Sequence, residues 1–181
     1  GLSKDKTVDI VNRIISENPD KNIRLVSKKD SGIYNAMNQA VDEAKGEWLI
    51  FVNCGDGFYK KDSLEKFVQA IKPESDVIYG NAVMRDQYGD AMWRGDISVI
   101  EKKMAFCHQA SMIKTSIARE IRFNENLKIA SDYNMMLGAY VKGYKFTYAD
   151  VIAAIFNLDG VSSTKFEANI NERFLVRANN G

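Results

Sequence analysis

The first eighty residues alternate between helical and extended patterns, and this alternation limits the fold of the chain more than any other feature. The predicted order is helix, strand, helix, strand, helix, strand, at residues 8–15, 23–27, 33–44, 48–52, 62–71 and 77–79. Parallel strands need a long crossover connection, usually a helix, between them. The order therefore predicts an α/β fold with a mainly parallel sheet.

The pattern changes after residue 80. Two short extended segments, 83–85 and 91–94, flank the polar stretch 86–90 and predict a hairpin with a longer turn. The later patterns predict a helix or lid at 98–104, a strand at 106–113, a helix at 131–142, two short strands within 144–156 and a helix at 167–178. With no linker and no internal repeat, the 181 residues suit a single domain.

Composition and charge exclude several classes of protein. The apolar fraction of 45% is typical of a globular protein, and the formal net charge of +1 gives no overall field that would attract nucleic acid. No apolar run approaches a length of about 20 residues, which a membrane-spanning helix needs. Cys54 and Cys107 form no zinc-ligand pair, so we expect two reduced thiols in a cytoplasmic protein.

An acidic turn follows the predicted strand at 48–52. Asp56 stands between Gly55 and Gly57, which permit a sharp bend and the close approach of a ligand. Open α/β sheets bind ligands at the carboxyl ends of their strands, and the oxygens of Asp56 and Asn53 suit Mg²⁺ or Mn²⁺ carrying phosphate. The alternative is a turn aspartate that bonds its own backbone, which is the commoner fate of Asp beside Gly.

A polar segment at 28–38 joins a predicted strand to a predicted helix. Backbone N–H groups at that helix N-terminus would meet an anion, and Lys28 and Lys29 would add attraction, whereas a solvated loop with a helix cap is the alternative. Asn38 lies close to the apolar face of the helix. A partly buried amide needs hydrogen-bond partners, and a ligand would be one.

Two further residues, His108 and Asp132, have both functional and structural interpretations. His108 is the only histidine, so no His-based metal site or Ser–His triad is expected, and a core or surface histidine is the commoner case. Asp132 stands at the start of a predicted helix, where it would act as an N-cap, as a general base facing a cleft, or as both.

Six segments in register resemble the family 2 glycosyltransferases of the GT-A fold. Residues 1–7 match the family's Gly-x-Ser-x-Asp-x-Thr turn, residues 30–38 match Asp-x-Gly-Ile-Tyr-x-Ala-x-Asn, and residues 53–56 occupy the acidic metal motif. The other matches are the Cys-His-Gln segment at 107–109, the Ala-Ser-Asp-Tyr segment at 130–133 and the glycine-serine turn at 160–163. Each motif is weak alone, but the six in this order are specific and span essentially the whole chain.

The resemblance implies a three-layer α/β/α fold of the nucleotide-diphospho-sugar transferase type. It implies transfer of a sugar, with inversion, from a nucleotide-diphosphate sugar such as a UDP-sugar to a hydroxyl acceptor. Residues 1–80 would bind the donor and residues 81–181 would shape the acceptor side, with Asp132 as catalytic base and Asp56 holding Mg²⁺ or Mn²⁺. The positions implied to contact the nucleotide sugar are Asp5, Asp30, Gly32, Tyr34, Asn38, Asn53, Asp56 and His108.

The resemblance also implies a setting and two differences. The expected acceptor is a saccharide or lipid-linked saccharide in bacterial polysaccharide or glycolipid synthesis, with the protein in the cytoplasm and in peripheral contact with the inner face of the membrane. Family members have a strand, a Thr-x-Asn turn and a second strand before the Gly-x-Ser turn, which here opens the sequence, and Asn53 and Gly55 replace two acids. We therefore expect an incomplete nucleotide pocket, weak metal binding, low activity of this chain alone and a sheet edge that favours homo-oligomers. A non-catalytic nucleotide- or carbohydrate-binding module and a nucleotidyltransferase are the alternatives.

Overall fold

The computed structural model of the protein describes residues 1–158 and 166–180. The helices are α1 (Thr7–Glu17), α2 (Ile33–Glu43), α3 (Ser63–Gln69), α4 (Thr115–Ile121), α5 (Ser131–Val141) and α6 (Phe166–Asn180). The strands are β1 (Trp48–Leu49), β2 (Gly57–Phe58), β3 (Val77–Asp86), β4 (Gly89–Trp93), β5 (Ser111–Lys114) and β6 (Phe146–Asn157). The part of the chain that the structure describes has no helix that combines the length and apolar character needed to span a membrane.

The strands form one mixed sheet in the order β1-β5-β3-β6-β2, with β4 paired to β3. Strands β3 and β6 run parallel, and the other pairings among the described residues are antiparallel. The α/β prediction is confirmed, but the prediction of a mainly parallel sheet is wrong. Residues 23–27 form no strand because no strand lies beside them in the described chain, and β1 is only two residues long and antiparallel to β5, so neither segment contributes a parallel pair to the sheet.

The long strand β3 divides the interior into two layers. Successive side chains of a strand point to opposite faces, and accordingly Val77 and Tyr79 belong to one core cluster while Ile78 and Ala82 belong to the other. Residues from α2, α4, α5 and α6 complete the first cluster, and Phe67 of α3 is fully buried in the second. Helices thus cover both faces of the sheet, as the three-layer prediction requires.

The hairpin predicted after residue 80 is confirmed, but its turn is shorter than predicted. Strands β3 and β4 pair as far as Asp86 opposite Gly89, which leaves two residues between the strands. The segments 77–79 and 83–85 belong to one continuous strand. Gly80 lies between them, and a side chain there would bring its Cβ within 2.8 Å of the Val151 carbonyl oxygen on β6.

Several other predicted elements differ from the structure. Residues 106–113 begin as a turn with a 3-10 helix at His108–Ala110, and only β5 after it is extended. The two short strands predicted within 144–156 are the single strand β6, and α4 was not predicted. The helix or lid predicted at 98–104 is replaced by a single 3-10 turn that begins one residue earlier, Ile97–Val99, in which the side chain of Asp96 accepts the Ser98 N–H.

Candidate active site

A cavity of about 580 Å³ opens beside the carboxyl ends of β3 and β6. Its walls come from α2, the turn after β1, the 107–109 segment, the start of α5 and one side of α6. Five residues that the sequence had singled out meet in its lining: Tyr34, Asn53, Asp56, His108 and Asp132. Residues separated by almost one hundred positions in the sequence therefore share one cleft.

Asp56 is held in place by two hydrogen bonds to its carboxylate. Oδ2 accepts from Nε2 of Gln109 at 2.6 Å, and Oδ1 accepts from the backbone N–H of Asn157 at 3.0 Å. The turn that carries Asp56 is closed by its own N–H, which donates to the Asn53 carbonyl at 3.1 Å, and Gly55 supplies a φ of 93°. Asp56 is thus a turn residue that faces the cavity, but the alternative of a carboxylate bonded to its own backbone is wrong, because the carboxylate binds Gln109 and Asn157 instead.

The segment before β5 orients the side chain of Gln109 that binds Asp56. Cys107 donates its thiol to Oε1 of Gln109 at 3.1 Å, so the amide of Gln109 is oriented with its NH₂ toward Asp56. Burial raises the pKa of the Cys107 thiol to about 12 and keeps it protonated at neutral pH. Cys107 therefore acts as a small buried donor and not as a nucleophile. Cys54 is exposed, and both cysteines are free.

His108 is buried between aromatic rings. Its imidazole stacks on Phe51 with the ring centroids 5.6 Å apart and meets the edge of Phe123 at 6.1 Å. Burial lowers the pKa of His108, and the charges of Asp132 and Asp56 oppose this shift only in part. Neither ring nitrogen has a hydrogen-bond partner among the described residues, so the ring is a neutral wall of the cavity.

Asp132 lies in the first turn of α5, one residue after the helix begins. The prediction that it is the N-cap is wrong, because Ala130 occupies that position and Ser131 opens the helix. The carboxylate Oδ1 accepts the neighbouring Tyr133 N–H at 2.8 Å, which stabilises negative charge near the positive end of the helix dipole. The side chain is partly exposed and lines the cavity, so a substrate can reach it.

Two side chains hold the loop that leads to Asp132. The phenol of Tyr34 on α2 donates to the Ile129 carbonyl at 2.5 Å, and burial raises the pKa of this phenol, so it remains a donor at neutral pH. From the other side, the Glu172 carboxylate on α6 accepts N–H groups of residues 128–130. Tyr34 thus lines the cavity and also holds the loop that leads to Asp132.

Four predicted site residues lie outside the lining of this cavity. Asp5 accepts the Thr7 N–H at the start of α1, and Asp30 lies 2.7 Å from the Gly1 amino group. Gly32 has a φ of 147° at the start of α2 and lines a separate recess of about 30 Å³. Nucleotide contact by these three residues stays a prediction. The glycine-serine turn at 160–163 lies outside the described residues.

Asn38 is the fourth of these residues, and its side chain is used within the protein. Its amide donates to the Phe123 carbonyl at 2.9 Å and to Glu125 at 2.8 Å, and its Oδ1 accepts the Phe123 N–H at 2.9 Å. These bonds join α2 to the loop after α4. The hydrogen bonds of the buried Asn38 amide are therefore made within the protein, without a ligand. Contact of Asn38 with a nucleotide stays a prediction.

Two basic side chains, Lys128 and Arg173, share the lining with the acids. Arg173 projects from α6, and its Nε is buried without a hydrogen-bond partner in the described part of the chain. Arg173, Glu172 and Asn157 could not be predicted from the sequence, because each belongs to a segment whose local pattern indicates only a helix or a strand. Gln109 was also missed, although the Cys-His-Gln segment contained it.

The oxygen atoms that Asp56 and Asn53 offer in the cavity fit a divalent cation that a substrate also helps to hold. Among the described residues, no three His, Cys, Asp or Glu side chains cluster as a ready metal site. Magnesium is often held by one or two carboxylates together with waters and substrate phosphates. Each oxygen of Asp56 accepts one hydrogen bond and keeps a lone pair for a cation, and Asn53 lines the same cavity.

Comparison with known proteins identifies the class of protein to which this fold and this cavity belong. The model of glycosyl transferase family 2 matches residues 2–142, and the chain belongs to that family. A PGL/p-HBAD biosynthesis glycosyltransferase of Mycobacterium tuberculosis is 31% identical over 185 residues, which cover 98% of this chain and 69% of the relative. The protein of Mycobacterium bovis with the same description has the same identity and coverage. The protein is therefore a transferase, and specifically a member of glycosyl transferase family 2.

Solved structures confirm the GT-A fold. S. aureus TarS in complex with UDP-GlcNAc superposes with a TM-score of 0.67 at 19% identity, covering 90% of this chain and 49% of that one. The mannosyltransferase PcManGT from Pyrobaculum calidifontis, in complex with GDP-Man and Mn²⁺, gives a TM-score of 0.70 at 18% identity, covering 97% and 51%. The chain thus spans about half the length of these two structural neighbours.

Proposed function

We propose that the protein is an inverting glycosyltransferase that moves a sugar from a UDP-sugar to a hydroxyl acceptor. The observation that carries the proposal is the meeting of Asp56 and Asp132 in one cavity of about 580 Å³, a volume in the range of small-molecule sites. One acid faces it from the turn after β1 and the other from the first turn of α5. Because the two carboxylates come from different elements, one can act at the leaving group while the other acts on the acceptor.

The proposed reaction is a single displacement. The acceptor oxygen forms a bond to the anomeric carbon while the bond from that carbon to the diphosphate oxygen breaks, and the diphosphate leaves with the bonding electrons. Asp132 takes the proton of the acceptor hydroxyl, and attack from the face opposite the leaving group inverts the configuration. A divalent cation, Mg²⁺ or Mn²⁺, when bound at Asp56, would neutralise charge that builds on the diphosphate.

The donor and acceptor classes rest on relatives and on the chemistry of the cavity. One structural neighbour binds UDP-GlcNAc and another binds GDP-Man with Mn²⁺, and the curated relatives are named for PGL/p-HBAD biosynthesis. We propose a UDP-sugar donor and a saccharide or lipid-linked saccharide acceptor, used at the cytoplasmic face of a bacterial membrane. Residues up to about 80 would hold most of the donor, Arg173 would reach its diphosphate, and the other later residues would face the acceptor.

A thermal-shift titration tests the donor class directly. At a UDP concentration 100 times Kd, binding stabilises the folded state by about 2.7 kcal/mol, which raises the Tm of a domain of this size by about 5–10 °C. We expect this rise with UDP plus Mn²⁺ and a smaller rise with UDP alone. UDP release from UDP-glucose, UDP-GlcNAc or UDP-galactose then establishes turnover. No shift with UDP or GDP in the presence of Mn²⁺ would remove the nucleotide-sugar donor from the proposal.

Arg173, whose Nε has no hydrogen-bond partner among the described residues, gives a second prediction. We expect it to contact the diphosphate, because an arginine fork binds phosphate oxygens with charge-assisted bonds worth about 1.5–3 kcal/mol. Arg173→Ala should therefore weaken UDP binding about tenfold or more and leave uridine binding unchanged, as measured by isothermal titration.

The control for this prediction is Arg177→Ala, one turn further along α6. Arg177 donates to the Lys102 carbonyl, its guanidinium lies 5.8 Å from the Phe174 ring centroid, and it is not part of the cavity lining. Equal losses of UDP affinity in the two variants would show that the helix as a whole, and not the Arg173 charge, determines binding.

A further inference from the structure

The carboxylate of Glu172 binds three consecutive backbone N–H groups. Oε1 accepts from Lys128 at 2.8 Å, and Oε2 accepts from Ile129 at 2.8 Å and from Ala130 at 2.9 Å. These residues lie directly before α5, where N–H groups have no partner within the helix. A charged acceptor makes stronger bonds to N–H groups than a neutral one, so this contact fixes the loop firmly.

The loop at 128–130 leads directly into the first turn of α5, which carries Asp132. Asp132 follows Ala130 by two residues, and the hydrogen bond that its carboxylate makes within the described chain is a local one, to the adjacent Tyr133 N–H. Tyr34 holds the same loop from the opposite side through the Ile129 carbonyl. The position of Asp132 in the cavity is thus set from α2 by a neutral phenol and from α6 by a carboxylate.

Helix α6 is itself well anchored, so Glu172 acts from a rigid support. Val176 is 1% exposed and belongs to the main core cluster, and Asn180 donates to Oδ1 of Asn134 on α5 at 3.3 Å. Arg177 donates a further hydrogen bond, to the Lys102 carbonyl. The family match ends at residue 142, so α6 and Glu172 lie beyond the matched residues.

We infer that Glu172 is a positioning residue for the general base, and this inference rests on the proposed role of Asp132. Its carboxylate gathers the three N–H groups, fixes the start of α5 and thereby holds the Asp132 carboxylate where the acceptor hydroxyl will lie. Catalysis is sensitive to such placement, because a displacement of about 1 Å is enough to lower a rate about 100-fold. Glu172 does not line the cavity and so acts through Asp132 and not on the substrate.

The test is a double-mutant cycle on the whole protein. Glu172→Gln keeps the size of the side chain but loses its charge and turns an NH₂ group toward the loop. Its rate is compared with that of the wild type and, separately, in the Asp132→Asn background, by release of nucleoside diphosphate from the fastest donor among UDP-glucose, UDP-GlcNAc and GDP-mannose. Glu167→Gln, an exposed acid on the same helix, is the control.

We expect Glu172→Gln to lower kcat about tenfold with a donor KM within about twofold of wild type. The stoichiometry of UDP binding should be unchanged, amide exchange should quicken at residues 128–130, and Glu167→Gln should behave as wild type. In the Asp132→Asn background, the further loss should be less than about twofold, because there is no base left to position.

Three results would overturn the inference. The first is that Glu172→Gln lowers kcat equally in the wild-type and Asp132→Asn backgrounds. The second is that it changes only the donor KM or the fraction of protein that binds UDP, and the third is that it leaves kcat unchanged. An Asp132→Asn variant as active as wild type would instead overturn the proposed function, and the inference with it. The two failures are therefore distinguishable in one set of measurements.

Discussion

Asp132→Asn is expected to lower the rate of sugar transfer about 10³-fold, which is the typical contribution of a general base. The amide cannot take the acceptor proton, yet it has the same shape, and its oxygen can still accept the Tyr133 N–H that the carboxylate now binds. Donor binding should be unchanged, because Asp132 faces the acceptor side of the proposed reaction. Initial rates of UDP release, with UDP affinity from titration, separate the two quantities.

A matched control exists on another helix. Asp9 lies in the first turn of α1 as Asp132 lies in the first turn of α5, but α1 has no buried residue and no part of it lines the cavity. Asp9→Asn should therefore transfer sugar at the wild-type rate. If Asp132→Asn also did so, Asp132 would not be the base, and a non-catalytic binding module would become the better description of this fold.

Asp56→Asn is expected to abolish most of the effect of Mn²⁺ on UDP binding and to lower transfer about 100-fold. Asp56 is the only carboxylate in its turn, so its replacement removes the one charged ligand that the turn can offer a cation. The measurement is UDP affinity with and without Mn²⁺, followed by rates at saturating donor. The ratio of the two affinities should fall toward one in the variant.

The loss must be separated from damage to the turn, because Asp56 also accepts hydrogen bonds from Gln109 and Asn157. The Tm without nucleotide reports such damage, and UDP affinity without Mn²⁺ reports whether the pocket is intact. A variant that binds UDP normally but keeps the full Mn²⁺ effect would contradict the assignment of Asp56 as the metal ligand. Asp9→Asn again serves as the control.

The helices were largely predictable from the sequence, whereas the sheet was not. Helical spacing of apolar residues is a local signal, and it located α1, α2, α3, α5 and α6 to within a few residues. Strand pairing joins distant segments, so local patterns do not show that β5 and β1 are antiparallel or that residues 23–27 lack a partner. Helix α4 was missed for a different reason. Like α3 it has only seven residues, but Lys114 precedes it where Asp62 precedes α3, and no proline follows it as Pro73 follows α3, so its ends carry no sequence signal.

The site was predictable only where its residues belong to motifs. Tyr34, Asn53, Asp56, His108 and Asp132 lie in segments that resemble the family, and the structure brings all five to the cavity. Asn38 belongs to a motif as well, but its partners are Phe123 and Glu125, more than eighty positions away. No local pattern reports such a contact.

Helix α6 also imposes an order on how the enzyme is made. Residues 166–180 are the last of the described chain to be synthesised, so every strand of the sheet has emerged before Glu172 can reach the loop at 128–130. The sheet, the turn of Asp56 and the bond from Tyr34 to the Ile129 carbonyl can form before α6 is available, whereas the contact of Glu172 with the loop at 128–130 forms only afterwards. Among the described elements, the contact that we propose to position Asp132 therefore forms last, and we expect a nascent chain on which α6 has not yet docked to lack it.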